Sequence, residues 1–231
     1  MKIGRHIVTA DRGLAPNPFH GYCTSAVCTP SHRNAKLWRG DWLIGNSDKS
    51  DQYRLVYAMR ILDRLWLDKY FLDPRFQAKK PKQDGTVIEQ CGDNIYERVL
   101  NRIWTRLPSP FHNKQEEFEK DTGNGEGHPV FVSNHFYYFG RNRIVLPEPF
   151  GTVIKEGRGF SYLDGKVAQE FVDWLERNFQ PGILGMPKDM TDDPLDPDVE
   201  LNCSRRKKRR SDEHKSQLVV ETAALRSGPR C

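Results

Sequence analysis

Apolar residues in this chain fall in short runs, each bounded by glycine, proline, asparagine or aspartate, and clear helical spacing is confined to two segments. Trp42-Leu43-Ile44 and Leu55-Val56-Tyr57-Ala58-Met59 are brief apolar blocks. Gly40-Asp41 opens the first, and a polar stretch from Asn46 to Asp51 separates the two. Each block predicts a buried strand. Residues 2–11 alternate weakly and read as a first strand, and residues 22–28, small and β-branched, as a strand or short turn. Val130-Phe131-Val132 and Ile144-Val145-Leu146 predict further strands, the latter stopped by Pro147. In Asn134-His135-Phe136-Tyr137-Tyr138-Phe139 the rings alternate between the two faces of a strand. One face is core, and the other is either core too or the wall of an aromatic pocket.

Residues 63–70 have helical spacing, with Leu62, Leu65, Trp66 and Tyr70 on one face and Asp73-Pro74 as the stop. Residues 167–179 predict the clearest helix, with Val167, Phe171, Trp174, Leu175 and Asn178 on one stripe. Gly165 precedes it and Pro181-Gly182 ends it. That stripe is expected to pack on the core. Residues 75–87 read as basic and irregular, with a turn at Asp84-Gly85, and residues 104–126 as charged and loop-rich.

At 231 residues the chain predicts one domain plus a tail, with residues 1–188 as the domain and 189–231 as the tail. The tail is acidic and proline-broken through Asp192-Asp193-Pro194-Leu195-Asp196-Pro197-Asp198, then basic through Arg205, Arg206, Lys207, Lys208, Arg209 and Arg210. Such a composition buries too little apolar area to offset its ordering entropy, so it is expected to be disordered. The six basic residues read as nucleic-acid contacts, as a nuclear import signal in a eukaryote, or simply as a solvated terminus. Charge is concentrated there: residues 204–231 carry net +6 of the chain's +5, leaving residues 1–203 at −1. Long-range attraction to a phosphate backbone is therefore assigned to the tail or a local patch.

No secretory leader or membrane-spanning run is read, and the five cysteines are odd in number, which predicts a reducing, cytoplasmic setting, or a nuclear one in a eukaryote. His20, Cys23, Cys28 and His32 match no standard zinc spacing, so no metal is expected. His6, His32, His112 and His128 are expected at the surface. Phosphate-cradling glycine loops, nucleophile elbows and zinc-protease motifs are absent, and no cofactor is expected.

Four polar-aromatic motifs remain. Ala15-Pro16-Asn17-Pro18-Phe19-His20-Gly21-Tyr22 sets an amide between two prolines, either to face a base edge or to make a structural turn. Gly92-Asp93-Asn94-Ile95-Tyr96 puts a carboxylate, an amide and a phenol in one short turn, which reads as a base-recognition element or an Asx-turn. Asp73-Pro74-Arg75-Phe76 offers Arg75 to phosphate or to Asp73. The fourth is the ring cluster at 134–139. The candidate ligand-binding set is Asn17, Phe19, Tyr22, Trp42, Asn46, Arg75, Asp93, Asn94, Tyr96, Phe136 and Tyr137.

These motifs, with Gly40-Asp41-Trp42-Leu43-Ile44-Gly45 and Leu55-Val56-Tyr57-Ala58-Met59, resemble the nucleotide modification associated domain of the second type over residues 1–187. More distantly the Gly-Asp turn, the second strand and the Tyr70-to-Pro74 segment are similar to EVE, YTH and other PUA-like modules. The resemblance implies an α+β fold with a small, bent β-barrel, flanking helices and an aromatic slot for a modified base. The long segment at 98–128 and the Asn17 loop have no counterpart in those modules. The first reading is a binding module for a modified nucleotide or base, in DNA or RNA, beside a base-modifying or nuclease partner protein. Asn17, Asp93 and Asn94 would read the base, Trp42, Tyr96, Phe136 and Tyr137 would stack, and Arg75 would sit near phosphate. The alternatives are an enzyme on a nucleotide, with Asp93 or Asp11 as base and His20 as its partner, and a protein-interaction module without a ligand.

Overall fold

Two bent arms hold this fold together, each leaving one sheet and continuing in another. The computed structural model describes residues 1–27, 34–99, 103–123, 127–157 and 159–190. The first arm is β4 (Leu55–Arg60) followed by β5 (Asp63–Trp66). The second is β8 (Pro129–Ser133) followed by β9 (His135–Tyr138). β4 pairs antiparallel with β9, and β5 with β8, so the two arms run side by side around the bend. Leu62 N donates to Val132 O at 2.8 Å and carries the pairing across the corner.

β4 and β9 are inner strands of a six-stranded sheet in the order β10 (Ser161–Asp164), β1 (Lys2–Ile7), β3 (Trp42–Asn46), β4, β9, β11 (Gly182–Ile183). β8 is the middle of a three-stranded sheet between β2 (Cys23–Ser25) and β5. A two-stranded ladder joins β6 (Tyr96–Arg98) to β7 (Trp104–Arg106). The helices are α1 (Leu67–Leu72), α2 (Val87–Gln90), α3 (Gln115–Thr122) and α4 (Lys166–Asn178).

Alternation along the central strands supplies the core. Trp42, Ile44, Ala58 and Tyr137 meet Phe171 and Leu175 of α4 on one face. Leu43, Tyr57, Met59 and Tyr138 pack with Cys23, Leu37 and Phe131 on the other. Each fully buried Phe or Leu of α4 stabilises by roughly 1.5–3 kcal/mol. A third cluster joins Val130 and Val132 to Tyr70, Phe76, Ile95, Tyr96 and Trp104. A buried ion pair ties the ends of the described chain: Arg143 donates to Asp11 at 2.8 Å and to Asp51 at 3.0 Å, and Lys188 N donates to Asp11 at 3.1 Å.

The α+β class is as expected, but the small bent barrel is not found: the sheets are open rather than closed. β10 and β11 are opposite edges of the large sheet and do not pair, and β11 has only two residues to offer. Residues 63–66 form strand β5, not the start of a helix, because their backbone is claimed by β8; the helix begins at Leu67. Ile144 makes only an isolated bridge to Leu55, since Pro147 and Pro149 supply no N–H and the chain enters a 3-10 segment, Glu148–Val153. Helix α3 stands where a loop-rich segment was expected: in Gln115–Thr122 only Phe118 is a large apolar residue, so no periodicity announces it. The described residues, through Met190, fall within one compact unit. The basic block Arg205–Arg210 lies outside the described residues. No helix among the described residues is long and apolar enough to cross a membrane.

Candidate functional site

Three of the sequence motifs converge on one buried lysine. Lys79, at the end of the 3-10 segment Pro74–Lys79, is fully buried. Its Nζ donates to Asn17 Oδ1 at 2.6 Å and to Asn17 O at 3.1 Å. The chain around Gly92 wraps the same residue. Asn94 N donates to Lys79 O at 3.0 Å, and a Cβ on Gly92 would stand 2.3 Å from that oxygen, so only glycine fits. Asp93 is buried beside them. Thr24 Oγ1 donates to its Oδ2 at 2.6 Å and Tyr70 OH to its Oδ1 at 2.7 Å. Burial pushes the Asp93 carboxyl up and the Lys79 ammonium down to about 8, and each is partly restored by the other's charge. Burial also pushes the Cys23 thiol nearby to about 12, so it is a poor nucleophile.

This network fixes a hairpin at the surface. Asn17 and Thr24 exchange backbone bonds of 2.8 and 2.9 Å. The Asn17 amide turns inward: its oxygen accepts from Lys79 and from Phe19 N, and its Nδ2 donates to Cys91 O at 2.9 Å. The tip is His20-Gly21, both left-handed at φ +58° and +78°, closed by Tyr22 N donating to Phe19 O. A left-handed non-glycine residue is strained and persists only where its surroundings over-determine it. Here the Lys79–Asn17 lock does so. His20 is largely exposed, and partial desolvation against the hairpin together with the Lys79 charge lowers its imidazole pKa.

The hairpin forms one wall of an open pocket of about 420 Å³. Pro18 and Gly21 stand on one side, Asn134 and Phe136 at the corner between β8 and β9, and Pro181, Gly182 and Ile183 opposite. Ser133 sets that corner by donating to His135 O at 2.7 Å and accepting from His135 N at 3.1 Å. Asn134 is thereby left exposed at the bend. The volume lies within the roughly 300–1,000 Å³ typical of small-ligand sites.

A second buried polar cluster sits elsewhere. Asp121 Oδ2 accepts from Tyr96 OH at 2.8 Å and lies 2.7 Å from His112 Nδ1, while His128 Nε2 is 3.8 Å from Oδ1. Burial raises the Asp121 carboxyl, but hydrogen bonds and charge from His112 and His128 outweigh it and hold it at about 2. His6, paired with Tyr57 OH at 2.6 Å, is also buried, and burial lowers it to about 4. The expectation of surface histidines is thus overturned for His6, His112 and His128, which serve as internal hydrogen-bonding groups. His32 and Cys28 lie outside the described residues. Among those described, no group of three or more His, Cys, Asp or Glu is arranged to hold a metal ion.

The family model of nucleotide modification associated domain 2 matches residues 1–194. The chain belongs to that family. No match was found among curated proteins or solved structures.

Within this domain the candidate residues divide into several places. Asn17, Asp93 and Asn94 belong to the network around Lys79; Asn94 Nδ2 donates to Tyr70 O and Phe76 O. Phe136 lines the pocket, and Phe19 and Tyr22 belong to its hairpin, Tyr22 edge-on to Phe76 at 5.2 Å. Trp42 and Tyr137 stack under α4, with centroids 6.3 Å apart. Asn46 holds the loop at Lys155 through bonds of 2.9 and 3.0 Å. Tyr96 belongs to the Asp121 cluster. Arg75 is bound to Asp73 and Asp63 on the surface. As for an acid–base pair, Asp93 is engaged by Thr24 and Tyr70, Asp11 by Tyr138, Arg143 and Lys188 N, and His20 bonds to neither. Asn134, Pro18 and Ile183 were not among the candidates. The sequence signal for Asn134 was its place between two strand runs, the apolar 130–132 and the ring-rich 135–139, which marks a corner.

Proposed function

We propose that this domain binds a modified nucleotide or base, presented in a nucleic acid, in the pocket between the Asn17 hairpin and the β8–β9 corner. The observation that carries the reading is the convergence there of an exposed amide, Asn134, an aromatic wall, Phe136, and the proline faces of Pro18 and Pro181, in a member of this family. An extruded base needs a shaped, largely apolar slot with few polar groups. Flat apolar faces accept the ring, and the Asn134 amide, with one acceptor and two donors, distinguishes its edge. Asn17, Lys79 and Asp93 act one step back, holding the hairpin. The basic block at Arg205–Arg210 supplies sequence-independent attraction to phosphate. A base-modifying or nuclease protein would be the working partner.

Fluorescence anisotropy of the full chain with matched oligonucleotides, with and without a modified base, tests this. The expected result is at least tenfold tighter binding of one modified form, with Asn134→Ala removing most of that preference. Equal affinity for every form overturns it. Neutralising Arg205–Arg210 is expected to weaken all oligonucleotides alike and flatten the salt dependence, leaving the preference intact.

A further inference from the structure

We propose that Trp38, Arg64 and Trp66 form a second nucleic-acid surface, a stacking platform for single-stranded bases that is independent of the pocket. Edge strand β5 creates it. Residues two apart on a strand share a face, so Arg64 and Trp66 project together while Leu65 turns into the core. The third member arrives on a rigid turn. Trp38 N donates to Asp41 Oδ2 at 2.9 Å, Gly40 N donates to Ile61 O at 2.9 Å with Gly40 at φ +91°, and Arg39 Nε donates to Leu62 O at 2.9 Å. The turn is thus laced to the chain that leads into β5, and Trp38 comes up beside Arg64.

The Arg64 guanidinium carbon lies 5.2 Å from the Trp38 ring centre and 5.6 Å from that of Trp66. Both contacts are within cation–π range. Two large apolar rings nonetheless stay in water, Trp38 at 60 % and Trp66 at 42 % exposure. Among the described residues Arg64 has neither a hydrogen bond nor a carboxylate partner, whereas Arg75 and Arg143 are each held by two aspartates. Exposed Arg39 adds a second cation with no carboxylate partner among the described residues. In a domain whose residues 1–203 carry net −1, Arg64 thus sets a guanidinium with no carboxylate contact among the described residues between two indoles.

That chemistry fits a polyanion with stackable rings. Indole faces take bases of any sequence, and the guanidinium takes the phosphate that joins them. A single strand meets both demands, and a duplex hides its base faces. An acidic protein segment would use the charge but leave the rings without a role.

The test uses full-length protein and fluorescein-labelled unmodified oligo-dT at about physiological ionic strength. Trp38→Ala/Trp66→Ala is expected to weaken binding about tenfold or more, since each stacked base contributes on that scale. Trp38→Phe/Trp66→Phe is expected to retain most of the affinity, and Arg64→Gln to weaken it less than loss of both rings. Thermal melts check that each variant keeps its fold, and the phenylalanine pair retains ring packing at both positions. The same tenfold effect is expected in a chain with Arg205–Arg210 replaced by serine. The proposal is overturned if the double alanine variant binds within twofold of the parent, if duplex DNA loses affinity equally, if a poly-glutamate peptide competes as well as oligo-dT, or if neutralising the tail alone abolishes binding. Because the probe carries no modified base, this result is separate from that of the pocket: a chain without modified-base preference can still lose oligo-dT with the two tryptophans.

Discussion

Asp93 and Asp121 are both buried carboxylates that accept from a tyrosine, yet one is pushed up and the other held at about 2. The difference lies in who stands in direct contact. Asp93 accepts hydroxyl hydrogen bonds from Thr24 and Tyr70, and its countercharge, Lys79, gives its bonds to Asn17 instead. Desolvation then prevails. Asp121 has an imidazole at 2.7 Å and a second at 3.8 Å, and that contact prevails over the same desolvation. Neutral donors satisfy a buried carboxylate without making it strongly acidic; a basic partner in hydrogen-bond contact does both. The Lys79 network is therefore under electrostatic tension, and the Asp121 cluster is a relaxed clamp on α3 and the Tyr96 strand.

The largest effect expected from breaking this contrast is at Lys79. Lys79→Met leaves Asp93 without its countercharge and Asn17 Oδ1 without its donor, and is expected to cost about 3–5 kcal/mol in urea unfolding at neutral pH. Adding Asp93→Asn should recover part of that loss; purely additive costs would show that the two charges do not communicate. Next is the alkaline limb. Burial lowers the folded Lys79 ammonium to about 8 from an ordinary 10.5, so the unfolded state binds its proton more tightly. Its contribution to stability then rises between about pH 8 and 10.5, by roughly 3 kcal/mol in total. Comparing parent and Lys79→Met unfolding across that range isolates the slope, and parallel curves would sink the assignment.

Asp121 gives the opposite acid-side signature. Its folded pKa of about 2 lies below the ordinary 3.8, so its stabilisation is complete above about pH 4 and is lost as pH falls toward 2. Asp121→Asn is expected to remove about 2 kcal/mol at neutral pH and to flatten that acid loss. The smallest effect sharpens the comparison most. Tyr96→Phe, expected to cost about 1.5 kcal/mol, should leave Asp121 ionised at neutral pH because the imidazoles remain. Carboxyl titration by NMR reads this directly, and an Asp121 that becomes neutral near pH 6 would mean the tyrosine, not the histidines, sets its acidity.

Strands β3, β4, β8 and β9 and helix α4 were legible in the sequence because each carries its burial pattern within its own residues. β5 was not: Leu62, Leu65, Trp66 and Tyr70 have helical spacing, and only the pairing of residues 63–66 with β8 decides for strand. Motifs around Asn17, Asp73-Pro74 and Gly92 could be recognised as unusual, but not as one object, since Lys79 joins them across more than sixty positions of chain. The same holds for His112 and His128, whose carboxylate partner Asp121 stands in a polar helix with no periodic signal.

By itself the sequence determined the family, the α+β class, the burial faces of the central strands and of α4, and the segregation of positive charge into the tail, all of which depend on local composition and spacing. Only the tertiary structure decided that the sheets stay open, that the Asn17 amide faces inward to a lysine, and that Phe136 and Asn134 meet the hairpin at a pocket. It also decided which tryptophans stay in water: Trp42 is sealed under α4, while Trp38 and Trp66 flank Arg64 at the surface. The reason is the same in each case. Burial and hydrogen-bond partnership are properties of pairs of residues far apart in the chain, and such pairs exist only after the arms have bent and the sheets have packed.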